Sequence, residues 1–280
     1  MTTTSLVKER IQLVRDLSNE MALFLRNLPD NVWKNANDYA SACEKWTIAD
    51  VVTHLILGAG TFERSIRNAL RGDISPPMGY SKPSSEAEAT TRLVETRASI
   101  YEDIFYDFNT ACLRFNSLVR SLNPENYSLP AWHPLFTITV ADLINIRASE
   151  LAIHGWDVRY PIDRSSMISD KAIPFQKNFL KSWLRMTFSS KQKLNKPITY
   201  RFNLTDTTRD VIDLVYSGDD FTFPSVVSNV PDVIFSCDSN TYILLCMGRI
   251  KLERYIRRGT ILVDGDESLA KQFTTYFTSI

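Results

Sequence analysis

Apolar residues line one helical face in four separate stretches before residue 160. Val7, Ile11, Val14, Met21, Leu25 and Leu28 recur at spacings of three and four, interrupted at Ser18, and predict an amphipathic helix that stops before Pro29. Residues 29–45 are polar and irregular. A second helix is expected from about Ile48 to about Arg71, with Trp46 just ahead of its cap as an apolar staple. Residues 72–85, rich in Gly, Pro and Ser, form a loop. The stripe Leu93, Ile100, Ile104, Phe108, Ala111, Phe115, Leu118 and Leu122 predicts a long third helix from Glu86 to Leu122, closed by Asn123-Pro124. The loop 123–137 follows, and a fourth helix runs from Val140 to about Val158. The second and fourth helices share one start signal, Thr47-Ile-Ala-Asp50 and Thr139-Val-Ala-Asp142, each readable as a capping box.

The pattern changes beyond residue 160. Asp163-Arg-Ser-Ser is a linker, and Lys171 to about Phe188 is a connecting helix interrupted at Pro174. Ile198–Leu204 alternates apolar and polar residues as a half-buried strand does, and 211–216, 232–237 and 259–263 add further strands. An apolar helix from Ser239 to Arg249, capped by Asp238 or Ser239, separates the last two strands. The stretch Asp264-Gly-Asp-Glu-Ser-Leu opens a closing helix that ends in Phe273, Tyr276 and Phe277. The fold class is therefore α+β, with a helical bundle over residues 1–162 and a smaller sheet-and-helix domain over 163–280.

Chemistry concentrates on the fourth helix. Arg147, Glu150, His154 and Asp157 stand at offsets of zero, three, seven and ten, so they stack along one face of an otherwise apolar helix. A carboxylate and an imidazole four residues apart can reach one divalent ion, and His54 on the second helix offers a third ligand. Asp157 can orient an imidazole N–H and Arg147 can pair with Glu150, although an ordinary salt bridge explains Arg147 nearly as well. Gly58 lies one turn beyond His54. Its missing side chain either leaves room for a ligand beside the metal or lets a neighbouring helix pack closely. Arg97 reads either as an anion clamp facing the pocket or as a snorkelling side chain near a helix end. Arg249 reads either as a clamp for a substrate carboxylate or as a cation answering a helix dipole. His133, followed by Pro134, is expected in extended chain away from any helix, either as a surface loop histidine or lining the pocket.

Composition narrows the field. The chain has 280 residues, with 32 basic and 32 acidic side chains, so it has no net field to attract nucleic acid or an anionic membrane. It has no secretory-type leader and no apolar run of spanning length, and a cytoplasmic location is expected. Cys43, Cys112, Cys237 and Cys246 are scattered without a C-x-x-C spacing and are read as buried, reduced thiols. No G-x-S-x-G elbow marks a protein nucleophile.

The pair W-T-x-x-D-V-x-x-H, at Trp46 to His54, and R-x-x-E-x-x-x-H-x-x-D, at Arg147 to Asp157, resembles the mycothiol-dependent maleylpyruvate isomerase family, a branch of the DinB-like metal-binding four-helix bundles. The resemblance covers residues 5–160 well, and the later strands and helices are similar to the sterol-carrier-like domain that accompanies those enzymes. It implies that His54, Glu150 and His154 bind a divalent metal, usually zinc, which positions a low-molecular-weight thiol such as mycothiol. Two imidazoles and a carboxylate leave open positions on zinc, as catalytic sites do, and a bound thiol would be held as a thiolate. The expected protein is an enzyme, monomeric or homodimeric, that isomerises or S-transfers onto a small electrophile. Two other readings stand beside it: a metal-dependent hydrolase or cyclase without thiol, and a non-catalytic protein that binds a small molecule.

Overall fold

The computed structural model describes residues 3–29, 31–34, 39–78, 80, 104–188, 193–206, 210–227 and 230–277. The chain divides into two compact units, Met1–Ala172 and Ile173–Ile280.

The first unit is helical. Its long helices are α1 (Thr3–Arg26), α3 (Ile48–Ala69), α4 (Ile104–Arg120) and α5 (Val140–Arg159), with a short α2 (Asn31–Lys34) between the first two. α1 packs on α4 and α5, and α3 packs on the same two, so the four close around one core. Val14, Met21, Val51, Val52, Leu55, Phe108, Phe115, Leu143 and Ile144 fill it. Ser18, the break in the first stripe, is also buried, and its hydroxyl donates to the Val14 carbonyl at 2.7 Å. Only the Ile104–Arg120 portion of the expected third helix is described. Leu93, Arg97 and Ile100 lie outside the described residues.

Both capping boxes form. Thr47 accepts from the Asp50 amide at 3.1 Å while the Asp50 carboxylate accepts from the Thr47 amide at 2.9 Å, and Thr139 and Asp142 repeat the arrangement at 3.1 and 3.0 Å. Each cap is worth about 1 kcal/mol and fixes where its helix begins. The register of the side chains further along follows from that start. The stretch between α4 and α5 is more ordered than its loop-like composition suggests. It contains a 3₁₀ turn (Pro124–Ser128) and the antiparallel pair β1 (Pro130–Ala131) and β2 (Ile138–Thr139).

The second unit begins with α6 (Ile173–Thr187). Pro174 does not interrupt it. The proline is the second residue of the helix, within the first turn, where no amide hydrogen is required. A five-stranded sheet follows in the order β5-β4-β3-β6-β7, from β3 (Leu194–Leu204), β4 (Val211–Gly218), β5 (Asp220–Thr222), β6 (Val233–Cys237) and β7 (Leu262–Gly265). β3 pairs antiparallel with β4 and parallel with β6. Tyr200, Phe202 and Leu204 alternate into the core with Val233 and Phe235, and Phe273 from α9 (Glu267–Tyr276) meets Phe202 at 5.4 Å.

Two further expectations are corrected in this unit. The helix expected over 239–249 is α7 (Ser239–Cys246), capped by Asp238, and ends at Gly248, whose φ of 67° suits a residue without Cβ. A further helix, α8 (Leu252–Arg257), precedes the last strand, which begins at Leu262 rather than at Gly259. The closing helix opens within the expected stretch and is capped by Asp266, whose carboxylate accepts from the Ser268 and Leu269 amides at 2.8 and 3.0 Å. Among the described residues no helix is long and apolar enough to cross a membrane.

Candidate functional site

α5 is buried on nearly every side, and its residues 146–149 and 151–158 are all buried. An apolar helix in that position needs no explanation, but Arg147, His154 and Asp157 are among the buried residues. Polar groups removed from water are costly unless they are partnered, so their partners decide what this face does.

Arg147 is 1% exposed. Its Nη1 donates to the Leu55 carbonyl of α3 at 2.9 Å and to Glu150 Oε2 at 3.4 Å, and its Nη2 points at Cys112 Sγ of α4, 3.5 Å away. One guanidinium thus links three helices. The other Glu150 oxygen faces across to α3, with Oε1 3.7 Å from His54 Nε2. Burial by itself would raise the Glu150 carboxyl. The approach of His54 and the charges of His54, Arg147 and His154 together outweigh that effect and hold it below its ordinary value.

His154 Nδ1 lies 2.8 Å from Asp157 Oδ2, and Asp157 is fully buried. A carboxylate accepts and does not donate, so Nδ1 carries the proton of this hydrogen bond. The His54 and His154 rings stand edge to face with centroids 5.0 Å apart. Of the predicted residues Glu150 and His154 approach His54, while Arg147 stands behind Glu150 and Asp157 behind His154; among the described residues the donors of His54, Glu150 and His154 are not gathered within 4.8 Å of one another.

Gly58 belongs to this cluster. A Cβ there would lie 3.3 Å from Glu150 Oε2 and 3.8 Å from Arg147 Nη1, so the space it leaves is taken by those two side chains of α5. Arg249 lies in the second unit, just after α7, where its guanidinium donates to the Met247 carbonyl at 3.3 Å. Arg97 is outside the described residues.

Two residues entered the site without a functional reading. Trp46 was expected to staple α3, yet its ring lies 5.1 Å from His54 and stacks on His154 at 6.1 Å with planes 20° apart. Its place one residue before the cap was the available signal, since a side chain there lies over the first turns of the helix. Cys43 is half-buried rather than buried, unlike Cys112, Cys237 and Cys246. Its sulfur, a ring nitrogen of His154 and a carboxylate oxygen of Asp157 all lie within 4.8 Å of one another. No local pattern in the sequence announces that meeting.

His133 lies on the connection from β1 to β2, beside Phe62 at 6.0 Å and Phe136 at 5.6 Å. Burial pushes its pKa down, and the charge of Glu150 opposes that shift. The Leu135 amide reaches its Nδ1 at 3.4 Å. The Ser65 hydroxyl ties the same connection to α3 by donating to the Trp132 carbonyl at 2.6 Å.

The fold and these residues define a class: two-unit chains in which a helical unit gathers imidazoles and carboxylates from two helices, and a sheet-and-helix unit follows. Residues 14–159, just over half of the chain, match the family model for the mycothiol maleylpyruvate isomerase N-terminal domain, and residues 188–278 match that of the SCP-2 sterol transfer family. The chain belongs to the mycothiol maleylpyruvate isomerase N-terminal domain family. Its fold is similar to that of a crystallised histidine-to-alanine mutant of the mycothiol-dependent maleylpyruvate isomerase, with a TM-score of 0.65 and 12% identity over 94% of this chain and 96% of that one. A second crystal structure of mycothiol-dependent maleylpyruvate isomerase gives 0.63 and 14% over 89% and 93%. No curated protein sequence matches.

Proposed function

We propose that this protein is a metal- and thiol-dependent enzyme that isomerises a small electrophile or transfers a low-molecular-weight thiol onto it. His54, Glu150 and His154 would hold the divalent ion, with zinc best suited to two imidazoles and a carboxylate. The observation that carries this reading is the pairing on α5. Arg147 holds one oxygen of Glu150 while the other faces His54 Nε2 at 3.7 Å, and Asp157 holds Nδ1 of His154, leaving its Nε2 as a donor. A carboxylate behind a ligating histidine is the usual support of a metal site. Once bound, the metal would supply Lewis acidity and lower the pKa of a coordinated thiol.

The chain's own residues do the rest by position and charge. Arg147 fixes the rotamer of Glu150 and, with His54 and His154, holds its carboxyl below its ordinary value. Asp157 fixes the tautomer of His154. Trp46 covers the face of the His154 ring and limits the approach of water from that side. His133, with its protonated form disfavoured by burial, is a further imidazole able to donate or accept a hydrogen bond to substrate. Mycothiol is the thiol named for the related structures, and it is our first candidate for this chain. We place the enzyme in the cytoplasm, acting on a small molecule as a monomer or homodimer.

Elemental analysis of wild type beside His54→Ala and His154→Ala is the direct test. About one divalent ion per wild-type chain, lost in both variants, is expected. Retention of a full complement of metal by His154→Ala would overturn the assignment. Assay of the metal-loaded protein with maleylpyruvate, with and without mycothiol, then tests the thiol requirement.

A further inference from the structure

The cluster on α3 and α5 is not covered equally on all sides. The His54 side chain is 33% exposed, that of Glu150 17% and that of His154 10%, while that of Asp157 is sealed. A small molecule arriving from solvent therefore meets the His54 side first. Trp46 borders that side. It is half-buried, and its ring lies 5.1 Å from that of His54 and 6.1 Å from that of His154, nearly parallel to the latter. Its backbone is fixed: the Trp46 amide donates to the Cys43 carbonyl at 3.1 Å, its carbonyl accepts from the Ser41 amide at 2.8 Å, and the next residue, Thr47, caps α3. Trp156 offers a comparison. It is 1% exposed and its indole N–H is satisfied by the Ser166 carbonyl, as befits a tryptophan that only packs. The indole N–H of Trp46 has no acceptor among the described residues, and it is not sealed from solvent.

We propose that Trp46 is a substrate-binding residue whose indole N–H donates a hydrogen bond to an oxygen of the bound small molecule, a carbonyl or a carboxylate. The proposal rests on the metal-binding reading above, which puts that molecule beside His54 and His154. Nε1 is an atom of the ring that lies against both imidazoles, so the donor is carried at the same short range as the ring itself. An indole N–H donates and never accepts. It therefore selects a molecule with an oxygen lone pair at this position and leaves an ammonium or amide N–H there unpaired. Tryptophan has only two side-chain torsions, and a fixed backbone beneath it keeps the entropy lost on binding small. The ring staples the start of α3 and the N–H recognises the ligand. Phenylalanine separates the two roles, because it keeps an aromatic ring and lacks the donor.

The test uses full-length, zinc-loaded protein, with maleylpyruvate as an oxygen-bearing probe and imidazole as a metal-binding probe without oxygen, both followed by titration calorimetry. Trp46→Phe should hold as much zinc as wild type and bind maleylpyruvate roughly tenfold more weakly, where the ranges for neutral and charge-assisted hydrogen bonds meet. Its affinity for imidazole should be that of wild type. In wild type with isotope-labelled tryptophan, one indole N–H resonance, absent from Trp46→Phe, should move downfield when maleylpyruvate is added. Maleylpyruvate affinity within about twofold of wild type in the variant, an equal loss for imidazole, or no shifted indole resonance would overturn the hydrogen bond and leave the metal centre standing. Loss of zinc from Trp46→Phe would assign the ring to holding the histidines and overturn it too, as would failure of zinc-loaded wild type to bind maleylpyruvate. A wild type that takes up no zinc would overturn both this proposal and the metal reading.

Discussion

Arg147→Met tests whether the ion pair at the centre of the helical unit is structural. Methionine keeps much of the arginine stem volume and removes the charge. It leaves the Leu55 carbonyl without its 2.9 Å donor and Glu150, 17% exposed, without its nearest cation. Breaking a buried pair by removing one partner costs about 3–5 kcal/mol, because the other charge stays behind uncompensated. At ~1.4 kcal/mol per power of ten, the folded-to-unfolded ratio of this unit falls by about two to three and a half powers of ten. Urea unfolding of metal-free protein, followed by the fluorescence of Trp46, Trp132 and Trp156, measures this. The pH dependence carries a second signature. Glu150 titrates below its ordinary value in the folded protein, so its contribution is present above the unfolded carboxyl pKa and is lost as the pH falls through the folded one. In the variant, burial is opposed by His54 and His154 alone. The folded pKa of Glu150 rises, and the penalty of the substitution shrinks on acidification as the carboxyl takes up a proton. A loss below about 1 kcal/mol, the scale of an ordinary neutral hydrogen bond, would refute the reasoning, as would a penalty independent of pH.

Two other substitutions separate site from scaffold. Gly58→Ala gains up to ~1 kcal/mol of helix propensity, offset by the displacement of the Glu150 carboxylate, so stability should change by less than about 1 kcal/mol. The new methyl meets Glu150 Oε2 at 3.3 Å, so metal affinity should fall in the same variant, measurable by competition with a chromophoric chelator. Gly265→Ala affects only the sheet unit. Its φ is 99° and a Cβ would lie 2.3 Å from the Asp232 carbonyl oxygen, so a loss of at least about 1–3 kcal/mol is expected, seen as a lower melting temperature.

Features within one or two helical turns of each other were legible in the sequence. The capping boxes placed α3 and α5 to within a residue at their starts, and the three-, seven- and ten-residue offsets put Arg147, Glu150, His154 and Asp157 on a common face. The contact between Arg147 and Glu150, and that between His154 and Asp157, followed from the same geometry. Contacts fixed by chain return were not legible. Cys43 reaches His154 only because the turn at 41–46 bonds to the backbone of Asp157, far along the chain, and hydrophobic periodicity carries no information about that. Pro174 misled because a proline in a first turn and a proline at a break look alike until the helix start is known. The short β1–β2 pair and β5 lie below the length at which alternation can be recognised.

Asp157 is joined to two parts of the site by different atoms. Its carboxylate holds His154, and its carbonyl holds the Ala42 amide and with it the turn that carries Cys43 and leads to Trp46. It lies in the last turn of α5, and helix ends are where fraying begins. Unwinding that single turn would release an imidazole and a loop together. The stretch is pinned accordingly: Trp156, 1% exposed, donates its indole N–H to the Ser166 carbonyl at 3.0 Å and stacks on Tyr160 at 4.6 Å. The time the centre spends assembled is thus governed by local opening at one helix terminus, well short of global unfolding, and amide exchange at Ala42 is its natural clock.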